Sequence, residues 1–310
     1  MEARRTTLTP DLFEPTEIEL RDSERIAGPS VGFWKDAWRR LKKNRGAVAS
    51  LGVILTLFLM AFVLGPLLSG YTPYEQNLAD RFQGPSAEHW LGTDGFGRDM
   101  WTRVWEGAQV SLYIAFLAAA MDLVIGVTFG LVSGVFGGRV DDVMQRIIEI
   151  LVCIPNIIVV ILAVAALGSS VLTIAFALVI TGWVNMARIV RGRVMQLREQ
   201  EYFLASRSLG ANRLRLAAKH LIPNSLGPII ITLMLTIPSA IFAEAILSFI
   251  GLGIQAPEAS LGLLTYEGAS QIRFYPYLLW FPAAVISLLM VSFNLLGDGL
   301  NDALDPKQRK

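Results

Sequence analysis

The uncharged stretch Gly46–Tyr74, GAVASLGVILTLFLMAFVLGPLLSGYTPY, decides the class of fold, because 29 consecutive residues carry no charged side chain. A second stretch, Ile150–Ala187, is uncharged over 38 residues. A helix needs roughly 20 apolar residues to cross the hydrocarbon core of a bilayer. Both stretches exceed that length. The sequence therefore predicts an integral membrane protein and excludes the classes of soluble enzyme.

The composition agrees with this class. The 310 residues are 53% hydrophobic and 17% charged, with a mean hydropathy of +0.50, whereas a soluble domain carries about 25% charged residues. The net charge of +1 gives no reason to expect a nucleic acid partner. Cys153 is the single cysteine, and His89 and His220 lie far apart, so no disulfide framework and no metal site is predicted. The polar first 45 residues indicate no cleavable signal peptide.

Six helical spans follow from the apolar runs. They cover about residues 46 to 68, 108 to 136, 144 to 167, 171 to 187, 227 to 252 and 277 to 296. The remaining predicted regions are a disordered tail (1 to 32), an interfacial helix (33 to 45), an extracytoplasmic loop (69 to 107) and a C-terminal cytoplasmic tail (301 to 310). The main body, residues 108 to 300, contains a polar loop between the fourth and fifth spans.

The basic residues set the expected orientation, since Lys and Arg favour the cytoplasmic side of short loops. With a cytoplasmic N-terminus, nineteen basic residues lie inside, even without the distal N-terminal tail, and four lie outside. We therefore expect both termini to face the cytoplasm and the chain to be a multi-pass protein of the plasma (inner) membrane.

Small residues and prolines mark candidate contacts within the spans. Gly126, Gly130 and Gly134 form a stripe at four-residue spacing, which indicates a close helix–helix contact. Pro155 lies inside the third predicted span and predicts a kink there. In the first outer loop, closely spaced acidic and basic residues predict local salt bridges: Asp94, Arg98, Asp99 and Arg103.

The loop at residues 199 to 224 is the most informative segment. Leu204, Ala205 and Leu209 can share one face of a short helix, Gly210 can adopt the positive φ of a helix C-cap, and Asn212 is a candidate N-cap for a second helix. Periodicity alone favours an ordinary amphipathic loop in the membrane interface over a surface that docks a partner.

At this segment the sequence resembles a known family. Ala205-Ser206, Gly210 and Pro223 are similar to the EAA loop of ABC importer permeases, although Leu204 stands where that loop has its glutamate. Further matching motifs are Leu91–Asp99, Thr181–Gly192, Leu247–Gly253, Phe293–Leu300 and Asp302–Lys307. Together they resemble the C-type permease subunit of oligopeptide and dipeptide ABC importers over about residues 33 to 310.

The resemblance implies an all-α polytopic membrane protein of the type I ABC importer class, with six transmembrane helices and a cytoplasmic coupling helix pair. It also implies a pore shared with a B-type permease, two ABC ATPase subunits that hold ATP and Mg, and an extracytoplasmic peptide-binding protein. The chain has no GxxxxGK[ST] phosphate loop, so we expect it to bind no cofactor and to be no enzyme itself. The residues expected to couple to the ATPase are Glu201, Ala205, Ser206, Arg207, Gly210 and Pro223.

Two further sets of residues are candidates. Glu244 and Asp122 are carboxylates inside predicted spans, where ionisable groups face protein or water rather than lipid. For Glu244 a pathway role and a packing role are equally open, and for Asp122 the packing role is favoured. Glu258, Glu267 and Arg273 lie in the last outer loop and are candidates for docking the binding protein.

Three alternatives are kept open. The nearest is an importer of the same family for nickel, glutathione or another small solute. The second is an ion-coupled secondary transporter, which the EAA-like loop and the lack of a visible internal repeat disfavour. The third is a membrane-embedded enzyme, for which no cluster of catalytic groups is present in the sequence.

Overall fold

The structure is a computed structural model that describes residues 32 to 304. The predicted N-terminal tail lies outside the described residues except for Gly32, and so does the end of the predicted C-terminal tail, from residue 305 on. The described chain forms ten helices of four residues or more: α1 Phe33–Lys43, α2 Arg45–Leu68, α3 Met100–Phe136, α4 Gly138–Cys153, α5 Asn156–Leu167, α6 Val171–Arg198, α7 Glu201–Ser208, α8 Arg213–Phe249, α9 Leu261–Ser270 and α10 Tyr277–Leu304. Within residues 32 to 304 no β-strand is present, and an isolated bridge joins Thr93 and Asp99.

Five helices, α2, α3, α6, α8 and α10, are long and apolar enough to cross a membrane. The pair α4 and α5 passes the same test together, which gives up to six spans. The prediction of an all-α polytopic membrane protein is therefore confirmed. The long helices also extend past the predicted span ends. For example, α3 has 37 residues, about 55 Å, against a hydrocarbon core of about 30 Å.

The third span differs from the prediction, because it is broken rather than continuous. The axes of α4 and α5 meet at 79°. Ile154 and Pro155 both have extended backbone angles at the break. Proline disfavours the helical conformation of the residue before it, which explains why α4 ends there. With 12 residues, α5 is about 18 Å long and is too short to cross a bilayer alone.

The glycine stripe of α3 forms the predicted close contact, and its partner is α6. A Cβ atom added at Gly126 would lie 2.6 Å from the Cβ of Met186, and one added at Gly134 would lie 2.6 Å from a methyl group of Val194. At Gly130 an added Cβ would overlap the carbonyl oxygen of Ala187. The absence of side chains on this face of α3 lets the two helices pack along most of their length.

Helix α2 runs toward the α9 end, and helices α3 and α6 run side by side toward the α7 end, so two ends of the bundle can be defined. At the α9 end, Trp101 at the start of α3 donates a hydrogen bond to the carbonyl oxygen of Gly65, near the end of α2 (3.1 Å). At the α7 end, Arg198 of α6 donates to the carbonyl oxygen of Gly134 of α3 (2.6 Å). Helix α1, the predicted interfacial helix, buries Ala37 and Leu41 and leaves Trp34 and Trp38 half exposed.

Candidate functional site

The predicted helix–turn–helix is present between α6 and α8. Helix α7 ends before Leu209, and Gly210 has a φ of +81°, the left-handed conformation predicted for it. The side chain of Asn212 accepts a hydrogen bond from the backbone N–H of Arg215 (2.7 Å), so Asn212 caps the next helix as predicted. The helix that Asn212 caps is α8 itself, which continues through the long apolar segment and ends at Phe249.

One aromatic residue fixes α7 to the bundle. Phe203 is 5% exposed and belongs to a small apolar cluster with residues of α6 and α8. Its buried partners include Val194 of α6 together with Leu216 and Leu221 of α8. Because the cluster joins three helices, a displacement of α7 is resisted by both α6 and α8.

The opposite face of α7, within the predicted coupling segment (residues 199 to 224), is open. Glu201, Ala205, Arg207 and Gly210 are exposed, and a Cβ added at Gly210 would meet nothing within 4 Å. Three leucines around them are also largely exposed: Leu204, Leu209 and Leu214. A group of exposed large apolar side chains beside charged ones is typical of a surface that a partner covers.

Two of the predicted coupling residues are less open or lie further away. The hydroxyl of Ser206 donates to the carbonyl oxygen of Tyr202 (2.8 Å), so it is engaged within α7. Pro223 is exposed in the part of α8 that follows a π-helical turn, Ala217–Leu221. Such a turn interrupts the regular i to i−4 hydrogen bonds just where proline has no N–H to donate.

Glu244 is fully buried between three elements. Its Oε1 accepts hydrogen bonds from Ser248 of α8 (3.0 Å) and Ser260 before α9 (2.6 Å), and its Oε2 accepts one from Ser111 of α3 (3.1 Å). Ser111 and Ser260 in turn accept backbone N–H groups of the first turn of α9. This geometry favours the packing role for Glu244, because its bonds to Ser111 and Ser260 hold the start of α9 against α3 and α8, and its third bond, to Ser248, lies within α8.

Asp122 has a different environment. It is 5% exposed and lines a cavity of about 340 Å³ between α3, α5, α6 and α8. Its Oδ1 atom has no hydrogen-bond partner among residues 32 to 304. The other polar side chains of the cavity are neutral: Asn156, Asn185, Thr232, Thr236 and Ser239.

At the α9 end, a buried ion cluster holds the loop between α2 and α3. Arg98 Nε donates to Asp94 Oδ2 (2.6 Å), and Arg103, which is fully buried, bonds both Asp94 and Glu267. The predicted local salt bridges are therefore present for three of the four residues. Asp99 instead caps α3 and pairs with His89 (2.9 Å).

The three docking candidates divide into two environments. Glu258 and Arg273 are exposed at the α9 end. Glu267 is about one-third exposed and contacts Arg103 at 3.2 Å, so part of its charge is used within the chain.

Sequence reasoning also missed Tyr74, which donates a hydrogen bond to Glu106. This bond and partial burial raise the pKa of Tyr74 to about 12.

A second missed cluster lies near the α7 end. Arg191 of α6 makes a bidentate contact with Asp141 of α4 (2.5 and 2.6 Å), and Ser133 of α3 donates to the same carboxylate. Asp141 and Arg191 are 50 positions apart in the chain, so no local sequence signal predicts the pair. Among residues 32 to 304, no group of three or more potential side-chain ligands is arranged to hold a metal ion.

Two descriptions of known protein families match different parts of the chain. Residues 126 to 310 match the family described as binding-protein-dependent transport system inner membrane component. Residues 32 to 85 match the N-terminal TM domain of oligopeptide transport permease C. This chain belongs to that transport family. It is a multi-pass membrane component of a binding-protein-dependent transport system.

Similar members of the family include two proteins of Bacillus subtilis (strain 168). The chain is 47% identical over 300 residues to the oligopeptide transport system permease protein OppC, covering 97% of this chain and 98% of that one. It is 50% identical over 299 residues to the dipeptide transport system permease protein DppC, covering 96% and 93%. The OppC protein of Escherichia coli (strain K12) is 40% identical over 289 residues, covering 93% and 95%.

Solved structures support the fold of this transport component. A chain of the MetNI methionine ABC transporter in an inward-facing conformation has a TM-score of 0.52 and covers 66% of this chain and 94% of its own. At 20% identity the likeness concerns the fold alone. It shows that the helical arrangement is that of an ABC importer permease.

Proposed function

We propose that this chain forms one half of the pore of an ATP-driven importer for oligopeptides or dipeptides. A B-type permease forms the other half, two ABC ATPase subunits bind ATP and Mg, and an extracytoplasmic peptide-binding protein delivers the substrate. The chain itself binds no cofactor. The names of the OppC and DppC relatives support the choice of peptides.

The observation that carries the proposal is the coupling segment. A subunit without an ATPase site has to receive movement from outside, and α7 presents an open face while Phe203 ties its other face to α6 and α8. We place this segment, and both termini, in the cytoplasm, because the basic residues are concentrated there. Glu201, Ala205, Ser206, Arg207, Gly210 and Pro223 then form or flank the surface that contacts an ATPase subunit.

The test is uptake of a labelled peptide into proteoliposomes that contain this chain, its partner permease and the ATPases. The binding protein is added outside and ATP is sealed inside. Uptake that requires ATP and survives ionophores supports the proposal, whereas uptake driven by an ion gradient without ATP overturns it. ATP hydrolysis stimulated by a nickel chelate or glutathione, but not by peptide, would favour another substrate of the same family.

A pair of variants tests the coupling surface. Gly210→Trp places bulk on the open face and should abolish uptake, while membrane insertion is retained. Gly210→Asn is the matched control, because asparagine tolerates the left-handed backbone that Gly210 adopts and adds little bulk. Normal uptake by the tryptophan variant would contradict the assignment of this surface to the ATPase.

A further inference from the structure

The cavity around Asp122 contains six polar side chains among its lining residues although it lies within the spans. Its walls come from α3, α6 and α8 and from Asn156 at the start of α5, and its volume is about 340 Å³. Asn156, Asn185 and Ser239 are exposed along its rim. Exposed amide and hydroxyl groups on spanning helices are unfavourable against lipid and are expected where a span faces protein or water. The cavity therefore opens toward the protein-covered or water-filled side of the bundle.

The carboxylate of Asp122 is placed in this cavity without a partner. The side chain is 5% exposed, and its Oδ1 atom accepts no hydrogen bond from any residue between 32 and 304. The other oxygen is packed against α6 at Gly182, where an added Cβ would lie 2.9 Å from Oδ2. Because Gly182 has no side chain, the carboxylate of Asp122 fits between α3 and α6, and the contact between these two helices fixes its position in the cavity.

Glu244 provides an internal comparison. Both of its oxygens are satisfied by serine hydroxyls, whereas Asp122 has no such donors although hydroxyl and amide groups line the same cavity. A buried carboxylate without hydrogen bonds or a counter-ion is strongly unfavourable. The arrangement is explained if a cationic group enters the cavity during the working cycle.

No lysine, arginine or histidine lines the cavity in the described chain. On the basis of the proposed peptide transport, we propose that Asp122 is a transient binding point for the protonated α-amino group of the peptide as it passes through the pore. Peptides of different sequence share an α-ammonium group, a carboxylate and backbone amides. The carboxylate of Asp122 can bind the α-ammonium group, and the neutral amide and hydroxyl side chains of the cavity can form hydrogen bonds with the backbone amides.

The test uses the complete transporter with one reporter cysteine. The native Cys153 is replaced by serine, and Ser239→Cys places a thiol on the cavity rim while Asp122 is unchanged. Two peptides of equal length are compared, one with cysteine at its N-terminal residue and one with cysteine at its C-terminal residue. The cysteine of each peptide carries a thiopyridyl group, and its exchange with the thiol introduced at position 239, which forms the peptide–protein disulfide and releases thiopyridone, is measured under turnover with ATP and the binding protein.

The proposal expects the peptide with N-terminal cysteine to crosslink about tenfold faster, as a charge-assisted hydrogen bond would give. Asp122→Asn in the same background should remove the preference while ATP hydrolysis stimulated by the loaded binding protein continues. Equal rates for the two peptides, or a preference that persists in the asparagine variant, would overturn the proposal. A cation supplied by the partner permease would give equal rates for the two peptides, because Asp122 would then not distinguish the peptide ends.

The outcome is separable from that of the proposed function. ATP-dependent peptide uptake by the unmodified transporter establishes the proposed function whether or not the two peptide ends are distinguished. If Asp122→Asn does not assemble with its partner, the comparison of the two peptides with Asp122 intact still decides the proposal.

Discussion

Replacing Glu244 by alanine and by glutamine separates a packing role from a pathway role. The alanine variant removes the acceptor of three serine hydroxyls, from Ser111, Ser248 and Ser260, at a fully buried site. The glutamine variant keeps the shape of the side chain and removes only its charge. The two substitutions therefore have different consequences under the two hypotheses.

The magnitude follows from the hydrogen bonds. Interhelical hydrogen bonds in membrane proteins contribute about 0.6 kcal/mol each on average and up to about 1.7 kcal/mol. The bonds from Ser111 and Ser260 join different elements, and these two give about 1 to 3 kcal/mol of lost stability for Glu244→Ala. The loss of the bond from Ser248, which lies on α8 with Glu244, and the cavity left by the side chain add to this. In Glu244→Gln the amide oxygen still accepts from Ser248 and Ser260, and the amide nitrogen faces Ser111. We expect a loss of about 1 kcal/mol or less.

The assay is unfolding in mixed micelles with increasing SDS, followed by tryptophan fluorescence, combined with peptide uptake by the assembled transporter. Thr56→Ala is the control, because its hydroxyl bonds only to its own helix, at Gly52. A packing role predicts a destabilised alanine variant and a glutamine variant that transports at a rate close to that of the unmodified chain. A stable glutamine variant that does not transport would refute the packing argument, since only the charge has been lost.

Three further predictions use the same measurements. Gly130→Ala should destabilise the chain by about 1 to 3 kcal/mol, because the added methyl group overlaps α6. Gly192→Ala is the control and should be neutral or stabilising, because a Cβ added there meets nothing within 4 Å. Equal effects of the two substitutions would contradict the close contact between α3 and α6. Arg103→Met should lower the free energy of unfolding by about 2 to 4 kcal/mol, because it removes a fully buried charge from the ion cluster. Glu267→Gln changes a partly exposed contact and should lower it by less than about 1 kcal/mol. The reverse order of the two effects would show that the cluster is not held by Arg103. Arg273→Glu should leave stability unchanged and reduce the ATP hydrolysis that the binding protein stimulates, most clearly at low salt; an unchanged response would remove this exposed residue from the docking surface.

Features set by neighbouring residues could be predicted from the sequence. The turn at Gly210 and the cap at Asn212 follow from local backbone preferences, and both are present. The glycine stripe on α3 also indicated a close contact, because the spacing of four residues places small residues on one helix face. The partner helix, α6, could not be identified in this way, since nothing in the stripe specifies what packs against it.

Features set by distant residues could not be predicted. The hydroxyl of Ser111 lies 133 positions before Glu244 in the chain, and Arg191 lies 50 positions after Asp141. Pro155 indicated a kink in the third span, but the 79° angle depends on how α4 and α5 pack after the break. The difference between Glu244 and Asp122 is likewise invisible in the sequence, because both are single carboxylates in apolar runs. Only the positions of the surrounding serine hydroxyls show that one is satisfied and the other is not.

The connection between the coupling segment and the cavity follows from which helices they share. Phe203 packs α7 against α6 and α8, and these same two helices carry Asn185 and Thr232 in the cavity wall. Asp122 lies on α3, which the glycine stripe holds to α6, and Glu244 joins α8 to α3 and to the segment before α9 through Ser111 and Ser260. Residues of α3 also pack against the apolar cluster of Phe203, so α7 is joined through packed side chains to the three long helices that line the cavity at Asp122. We therefore expect a movement of α7 that shifts α6 relative to α8 to change the width of this cavity.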